Sequence, residues 1–457
     1  MYETTSLKAK LKLFIIILIP ILITQVSMNL MNFFDTVMSG RAGVSDLAGV
    51  AIGSSLWVPI STGINGIILA ITPIIAHLLG ARAVNKIASK VQQGIYLAMI
   101  LGILIIAVGA IVLDPVLQLM DLENDVRHIA KYYLISLGAG IIPLFVFNTI
   151  RSFMDALGQT KISMIIMLIA LPINIILNYI FIFGKLGIPA FGGIGSGIAT
   201  ALTYWLLCFL SIILCYRLKI LQQFELFKKI NIPHISDWLE QLKIGIPIGF
   251  AIFFETSIFS AITLLMSVYS TSTIAAHQAA MNFSALLYMI PLSVGMALTI
   301  VVGYEAGAKR IAHARTYSYL GISGGIFVAI FAGIVLYVFN EPVAELYNTD
   351  PAVIELTKQF IIYAIFYQLA DAIAAPIQGI LRGYKDVNMT LFIALVSYWI
   401  VGLPTGWFLA NYTALEAFGY WIGIIAGLST GAIALSVRMI YVQRKLKKET
   451  KNSPVLE

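Results

Sequence analysis

Residues 94–113 read GIYLAMILGILIIAVGAIVL: twenty residues without a charge, with Lys90 just before them and Asp114 directly after. As a helix rising about 1.5 Å per residue, the stretch is about 30 Å long, the thickness of a bilayer's hydrocarbon core. It is not alone. Residues 13–30, 161–183, 197–216 and 321–338 are comparably long and apolar. Over all 457 residues, 60% are hydrophobic and only 11% are charged. A soluble domain carries about 25% charged residues, so this chain lacks the polar shell that would cover such runs in water.

Working outward from 94–113, the sequence divides into spans at roughly 13–39, 45–79, 92–113, 128–150, 162–183 and 194–216. A second set falls at roughly 244–268, 272–303, 317–339, 353–379, 387–409 and 418–441. The expected fold is an all-α membrane protein of twelve transmembrane helices in two six-helix lobes. An N-terminal lobe over 1–216 and a C-terminal lobe over 244–441 are joined by a linker over 217–243, the longest polar interruption. A basic tail over 442–457 follows.

The net charge of +7 is a matter of position rather than of nucleic-acid binding. Placing the spans puts 24 of the 29 Lys and Arg on one side, with only Arg41, Arg127, Lys131, Lys185 and Lys358 on or near the other. The opposite loops are acidic, with Asp114, Asp121, Glu123 and Asp125, then Glu341, Glu345 and Asp350. The positive-inside rule then makes both termini cytoplasmic, and the basic excess meets anionic lipid. No Lys or Arg is expected inside a span. The first apolar run is longer than a signal-peptide core and reads as the first span. Cys208 and Cys215, seven apart on one span, read as small buried apolar groups, and the five histidines form no pair at metal-ligand spacing. No enzyme and no bound cofactor are expected.

The halves resemble each other. Pro20 matches Pro247 at an offset of 227, and at the same offset Gly80-Ala81-Arg82 matches Gly307-Ala308-Lys309. Gly158 aligns with Gly383 at 225 and Gly195 with Gly419 at 224, drifts that loop insertions produce. Six helices per half give parallel repeats, an arrangement in which transporters bind substrate between the repeats and rock one against the other.

Chemistry should show as polar groups inside spans, where a central carboxylate costs about 2.5–3.5 kcal/mol and marks function by default. Of 22 acidic residues, only Asp35, Glu255 and Asp371 are internal. Glu255 lies 12 residues past Lys243, roughly 18 Å into the membrane. Asp371 lies 13 residues from Lys358 and 11 from Arg382, also near the midplane, and Tyr367 is one turn before it on the same face. Asp35 is 23 residues from Lys12, about 34 Å along a straight helix, which leaves two readings: a solvated helix end, or a cavity shared with Asn174 and Asn178. Those asparagines follow Pro172 at i, i+4. Gln25, Gln278 and Asn282 are further candidates for a polar cavity, and Asp155 and Glu305 are expected to pair with Arg151 and Lys309 at helix ends.

Asn32-Phe33-Phe34-Asp35-Thr36-Val37-Met38-Ser39-Gly40-Arg41 resembles the first-span signature of the multidrug and toxic compound extrusion (MATE) family. Gly158-Gln159-Thr160-Lys161 and Leu171-Pro172-Ile173-Asn174 resemble it too, and Glu255, Tyr367 and Asp371 look like its NorM-like branch. The resemblance spans essentially the whole chain. It implies two lobes in a V and antiport of amphipathic organic cations against Na⁺ or H⁺. It further implies an N-lobe ion or proton site at Asp35 with the asparagines, and a C-lobe cation site, possible for Na⁺, at Glu255, Tyr367 and Asp371. Asn178 stands where some relatives carry an aspartate, which argues against a second carboxylate in the N-lobe. Expected partners are small organic cations and membrane lipids, not nucleic acid, and the expected form is a monomer in a bacterial inner membrane. A lipid-linked precursor flippase or polysaccharide exporter would share the fold but want a cationic cavity. A prenyltransferase-like enzyme would want DxxxD-type acidic runs that are lacking.

Overall fold

In a computed structural model, described over residues 3–120, 122–347 and 350–452, the chain is helical, without a strand among the described residues. Asp121 and the tail end 453–457 lie outside them. Eleven spans are long and apolar enough to cross a bilayer. In chain order the first three are α1 (Leu7–Ala42), α2 (Val44–Gly80) and α3 (Val84–Leu119). A twelfth span, α4, is two helices, Asn124–Gly138 and Ile141–Ala156, meeting at a 49° bend. Then come α5 (Thr160–Phe183), α6 (Gly193–Arg217), α7 (Ile235–Val268), α8 (Thr271–Gly307) and α9 (Ile311–Val338). The last three are α10 (Pro351–Gly383), α11 (Asn388–Tyr412) and α12 (Ala417–Asn452). Each overlaps its expected span, and most run several residues past it, because a helix need not stop where the hydrocarbon does. The bend in α4 falls where Gly140 meets α6: a Cβ there would sit 2.7 Å from Ala201 Cα.

The helices form two compact units, one of residues 19–246 and one of residues 3–18 with 247–452. The sequence reading had put all of 1–216 in one lobe, but the start of α1 packs into the second unit. There Thr4 Oγ1 lies 2.8 Å from Tyr317 Oη, Lys10 Nζ lies 3.3 Å from His313 Nδ1, and Glu3 pairs with Arg310 at 3.1 Å. Residues 217–243, read as a linker between lobes, belong to the first unit. Before α7 begins at Ile235 this segment has only a short helix, Lys219–Gln222, so its other backbone groups must find partners, and α3 supplies several. Gln92 Nε2 donates to Lys229 O at 2.6 Å, Gln93 Nε2 to Ile232 O at 2.9 Å, and Tyr96 Oη to Asn231 O at 3.0 Å. Lys90 adds ion pairs with Asp237 and Glu240.

The first unit's core gathers Phe147, Ile150 and Phe153 of α4 with Ile71 and Ile75 of α2 and Val91 of α3. Facing outward are Ile103, Leu104 and Ile111 of α3 and, in the second unit, Phe327, Phe331 and Ile334 of α9, all exposed. An apolar surface of that kind is a membrane-contacting one. Cys208 and Cys215 are buried free thiols. In the second unit α8 and α10 cross at Gly295 and Gly379: a Cβ on Gly379 would overlap the Gly295 carbonyl. Thr299 Oγ1 seals the crossing by donating to Gly379 O at 2.9 Å.

Three cations depart from the sequence reading. Arg151, Arg382 and Lys10, counted among solvated topology signals, are buried at 4%, 6% and 2% exposure within α4, α10 and α1. Linear position gives the distance to a helix end, not the helix face, and these faces turn inward. Asp155 stays within electrostatic reach of Arg151, as expected, and also accepts a hydrogen bond from Ser163 Oγ on Oδ1 at 2.7 Å, whereas Glu305 pairs with Arg310 at 2.6 Å rather than with Lys309. Lys309 lies past the end of α8 with φ 59°, so the helical i, i+4 geometry does not reach it.

Candidate functional site

Each unit holds a buried polar cluster. In the first, α5 presents Asn174 and Asn178 one turn apart on one face, both fully buried. Asn178 Nδ2 donates to Asp35 Oδ1 at 2.6 Å and to Asn174 Oδ1 at 3.1 Å. From α6, Thr200 Oγ1 donates to Asp35 Oδ2 at 2.9 Å, and Asn174 Nδ2 donates back to Thr203 Oγ1 at 3.3 Å. Asp35 is 6% exposed, so it is not the solvated end of α1. Thr200 and Thr203, one turn apart, were missed from sequence because a threonine in a span usually bonds its own helix, as Thr203 also does to Ala199 O at 2.8 Å. A hydroxyl both donates and accepts. A proton arriving on Asp35 Oδ2 can therefore be donated to Thr200 Oγ1, and the contact reverses without being lost.

The second cluster is built differently. Glu255 of α7 is 7% exposed and accepts two long hydrogen bonds, from Tyr288 Oη of α8 and Gln378 Nε2 of α10, each at 3.4 Å. Asp371 of α10 is 1% exposed, and neither of its carboxylate oxygens has a hydrogen-bond partner among the described residues. Glu255, Asp371, Tyr288, Tyr367 and Tyr398 lie within electrostatic reach of one another. Tyr367 is held edge-on to Phe259 of α7, ring centroids 5.7 Å apart. Tyr398 comes from a π-helical stretch of α11, Leu395–Gly402, a deformation that tends to accompany function. The same stretch turns Trp399 so that Nε1 donates to Phe254 O, beside Glu255, at 3.2 Å. Tyr288, Gln378 and Tyr398 carried no sequence signal, since tyrosines and glutamines occur throughout the spans.

Two unsatisfied carboxylate oxygens in an apolar surround are costly unless neutralised. Glu255 and Tyr367, within electrostatic reach of Asp371, offer carboxylate and phenol oxygens, the ligand type of a hard cation. Among the described residues no three His, Cys, Asp or Glu gather as a transition-metal site would require. The remaining amides go elsewhere. Gln278 and Asn282, one turn apart, are exposed on one face of α8, Gln25 is half-buried, and none of the three bonds to either cluster.

Twelve apolar spans in two units, with ionisable groups buried inside them, define a multi-span membrane transporter. The MatE family model matches residues 20–180 and again 247–408, two matches beginning 247 − 20 = 227 residues apart, the offset at which the halves align. The chain is 70% identical to the "Probable multidrug resistance protein NorM" of Oceanobacillus iheyensis over 97% of this chain and 100% of that protein. It is 52% identical to the protein of the same description from Bacillus subtilis, over 97% and 98%. The fold superposes on the Vibrio cholerae MATE transporter VcmN in the bent form with TM-score 0.86 and 21% identity, covering 97% of this chain and 99% of that one. A MATE structure in the straight conformation gives TM-score 0.87 at 20% identity, covering 96% and 97%. The chain belongs to the MatE family and is a transporter, not an enzyme.

Proposed function

We propose that this protein is a multidrug exporter that expels amphipathic organic cations in exchange for Na⁺ or H⁺ across a bacterial cytoplasmic membrane, with both termini in the cytoplasm. The observation that carries the reading is Asp371: a fully buried carboxylate without a hydrogen-bond partner, within electrostatic reach of Glu255. Such a pair repels itself unless a cation sits between its members or one member is protonated. Coupling follows from that need. A Na⁺ or H⁺ entering from outside offsets one of the two negative charges and relieves the repulsion between Glu255 and Asp371, with Tyr367 and Tyr288 at hand as further oxygen ligands. Leaving on the other side, it restores the repulsion, and the ion gradient makes the cycle directional. Asp35 is the second switch, taking a proton through its reversible contact with Thr200. The drug substrate follows the NorM description of the relatives and the buried carboxylates Asp35, Glu255 and Asp371 within otherwise apolar spans, which suit partly apolar cations. The working form is a monomer in contact with anionic lipid on the basic side.

The test is efflux of a cationic dye from proteoliposomes under an imposed Na⁺ gradient, an imposed pH gradient, or neither. Efflux driven by one of the two gradients supports the proposal. Equal rates with and without both, for protein shown to be inserted, overturn it.

A further inference from the structure

Arg382 ends the inward stripe of α10. Tyr367, Asp371, Gln378 and Arg382 are separated by 4, 7 and 4 residues, so all four share one helix face. The guanidinium is buried. Its Nε donates to Gln378 O at 3.3 Å, and among the described residues no carboxylate lies within ion-pair distance of it. That carbonyl is the backbone oxygen one turn back on the same helix, and the side-chain amide of the same residue reaches Glu255 Oε2. Glu255 and Tyr288 are also within direct electrostatic reach of the guanidinium. A narrow cleft opens beside it, lined by Ile248, Ala251 and Ile252 of α7, Gln378 and Arg382 of α10 and Thr390 of α11. Ala251 and Ile248 are one and two turns before Glu255, so the cleft lies on the Lys/Arg-rich side of that carboxylate.

The first unit contains a counterpart. The offset of 227 pairs Glu255 with Met28, and Arg151 of α4 donates Nη1 to Met28 Sδ at 3.3 Å. Each unit therefore has a buried arginine on the fourth helix of its half: Arg151 touches that position of the first helix, and Arg382, further along its helix, lies within electrostatic reach of it. In the first unit that position is a neutral thioether, and Asp155 compensates the arginine electrostatically. In the second unit the position is the carboxylate itself.

From this arrangement we infer that Arg382 is a tethered competitor for Glu255, neutralising that carboxylate when the coupling ion has left and giving way when the ion returns. The inference rests on reading Glu255 and Asp371 as the coupling-ion site. It assigns Arg382 a positioning role. The side chain lowers the site's affinity for the ion and, standing beside the cleft, speeds release toward the cytoplasm. A guanidinium suits the task because it stays charged when buried and cannot leave its helix.

The experiment measures dye efflux in proteoliposomes as a function of whichever ion, Na⁺ or H⁺, drives the wild type, giving a half-saturating concentration and a maximal rate. The groups facing Arg382 and Glu255 that bear on a proton titration are Tyr288 of α8, Asp371 and Tyr367 of α10 and Tyr398 of α11. Arg382→Met keeps the apolar stem but leaves the charge of Glu255 uncompensated, which costs stability, so membrane insertion of the variant is checked first. It is expected to lower the half-saturating concentration roughly tenfold, the scale of one close buried charge, while the maximal rate falls. Arg382→Lys, whose buried ammonium can lose its proton where the guanidinium cannot, should give a value between those of the wild type and Arg382→Met. Arg382→Gln also removes the charge, should shift the value in the same direction as Arg382→Met, and serves if that variant is not inserted. A half-saturating concentration unchanged in Arg382→Met, or in Arg382→Gln where that variant stands in, overturns the inference. Glu255→Gln separates the two layers. If it abolishes ion dependence while Arg382→Met leaves affinity unmoved, only the competitor role fails. If Glu255→Gln leaves ion dependence intact, the site reading itself fails.

Discussion

Asp371→Asn removes a charge and changes almost nothing else, which makes it the sharpest probe of the second cluster. Neither oxygen of Asp371 has a hydrogen-bond partner, so the substitution deletes no such bond. It does relieve the cost of an ionised carboxylate at mid-membrane, about 2.5–3.5 kcal/mol. Without coupling ion, the purified variant should therefore be as stable as the wild type or more stable, by no more than about 3 kcal/mol. Ion binding reverses the order. A wild-type protein at 100 times its dissociation constant gains about 2.7 kcal/mol from the ion, whereas a variant that cannot bind it gains nothing. The assay is thermal unfolding of detergent-solubilised protein with and without saturating ion, alongside gradient-driven efflux in liposomes. The expected pattern is an ion-dependent rise in Tm for the wild type, no rise for Asp371→Asn, and efflux at background. A variant more than about 1 kcal/mol less stable than the wild type in ion-free buffer would mean that Asp371 makes structural interactions, and the reasoning from its missing partners would fall.

Two further outcomes follow from the packing. Asp35→Asn turns one of two acceptor oxygens into a donor facing Asn178 or Thr200; it should cost about 1–2 kcal/mol of stability and abolish drug resistance in an efflux-deficient host, and full resistance at wild-type protein levels would return Asp35 to a structural role. Gly379→Ala forces a methyl group into the Gly295 carbonyl; backbone cannot yield as a side chain can, so the variant should lose more than about 2 kcal/mol or fail to accumulate, whereas Gly109→Ala, with open space around it, should be silent by the same melting assay.

Legibility in the sequence followed the physics of each feature. A twenty-residue run such as 94–113 has one low-energy setting, a helix in a bilayer, so the spans and their number could be counted. The doubled pattern at an offset of 227 was equally linear, and so were the rare carboxylates: a charge inside an apolar run stands out without any knowledge of its neighbours. What partners those carboxylates take was not linear. Asp35 reads equally well as a helix end or a buried acid until α5 and α6 fold against α1 and bring Asn178 and Thr200 to its two oxygens. Asp371 is notable for partners it lacks, which no spacing encodes.

Helix face was the other thing only the tertiary structure decided. Arg151 and Arg382 count in the sequence as basic-side topology signals, and near a helix end the charge pattern is the same whether the side chain points out or in. Packing turned both inward, because the helix position is fixed by apolar neighbours and by close crossings such as Gly295 with Gly379, leaving the arginine no choice of face. The start of α1 likewise passes to the second unit and residues 217–243 to the first, since contacts such as Thr4 with Tyr317 and Gln93 with Ile232 join residues far apart in the chain. Composition and period set what the chain is made of and the medium it folds in. Which buried charges meet, and which are left to an ion, is set by how the helices pack.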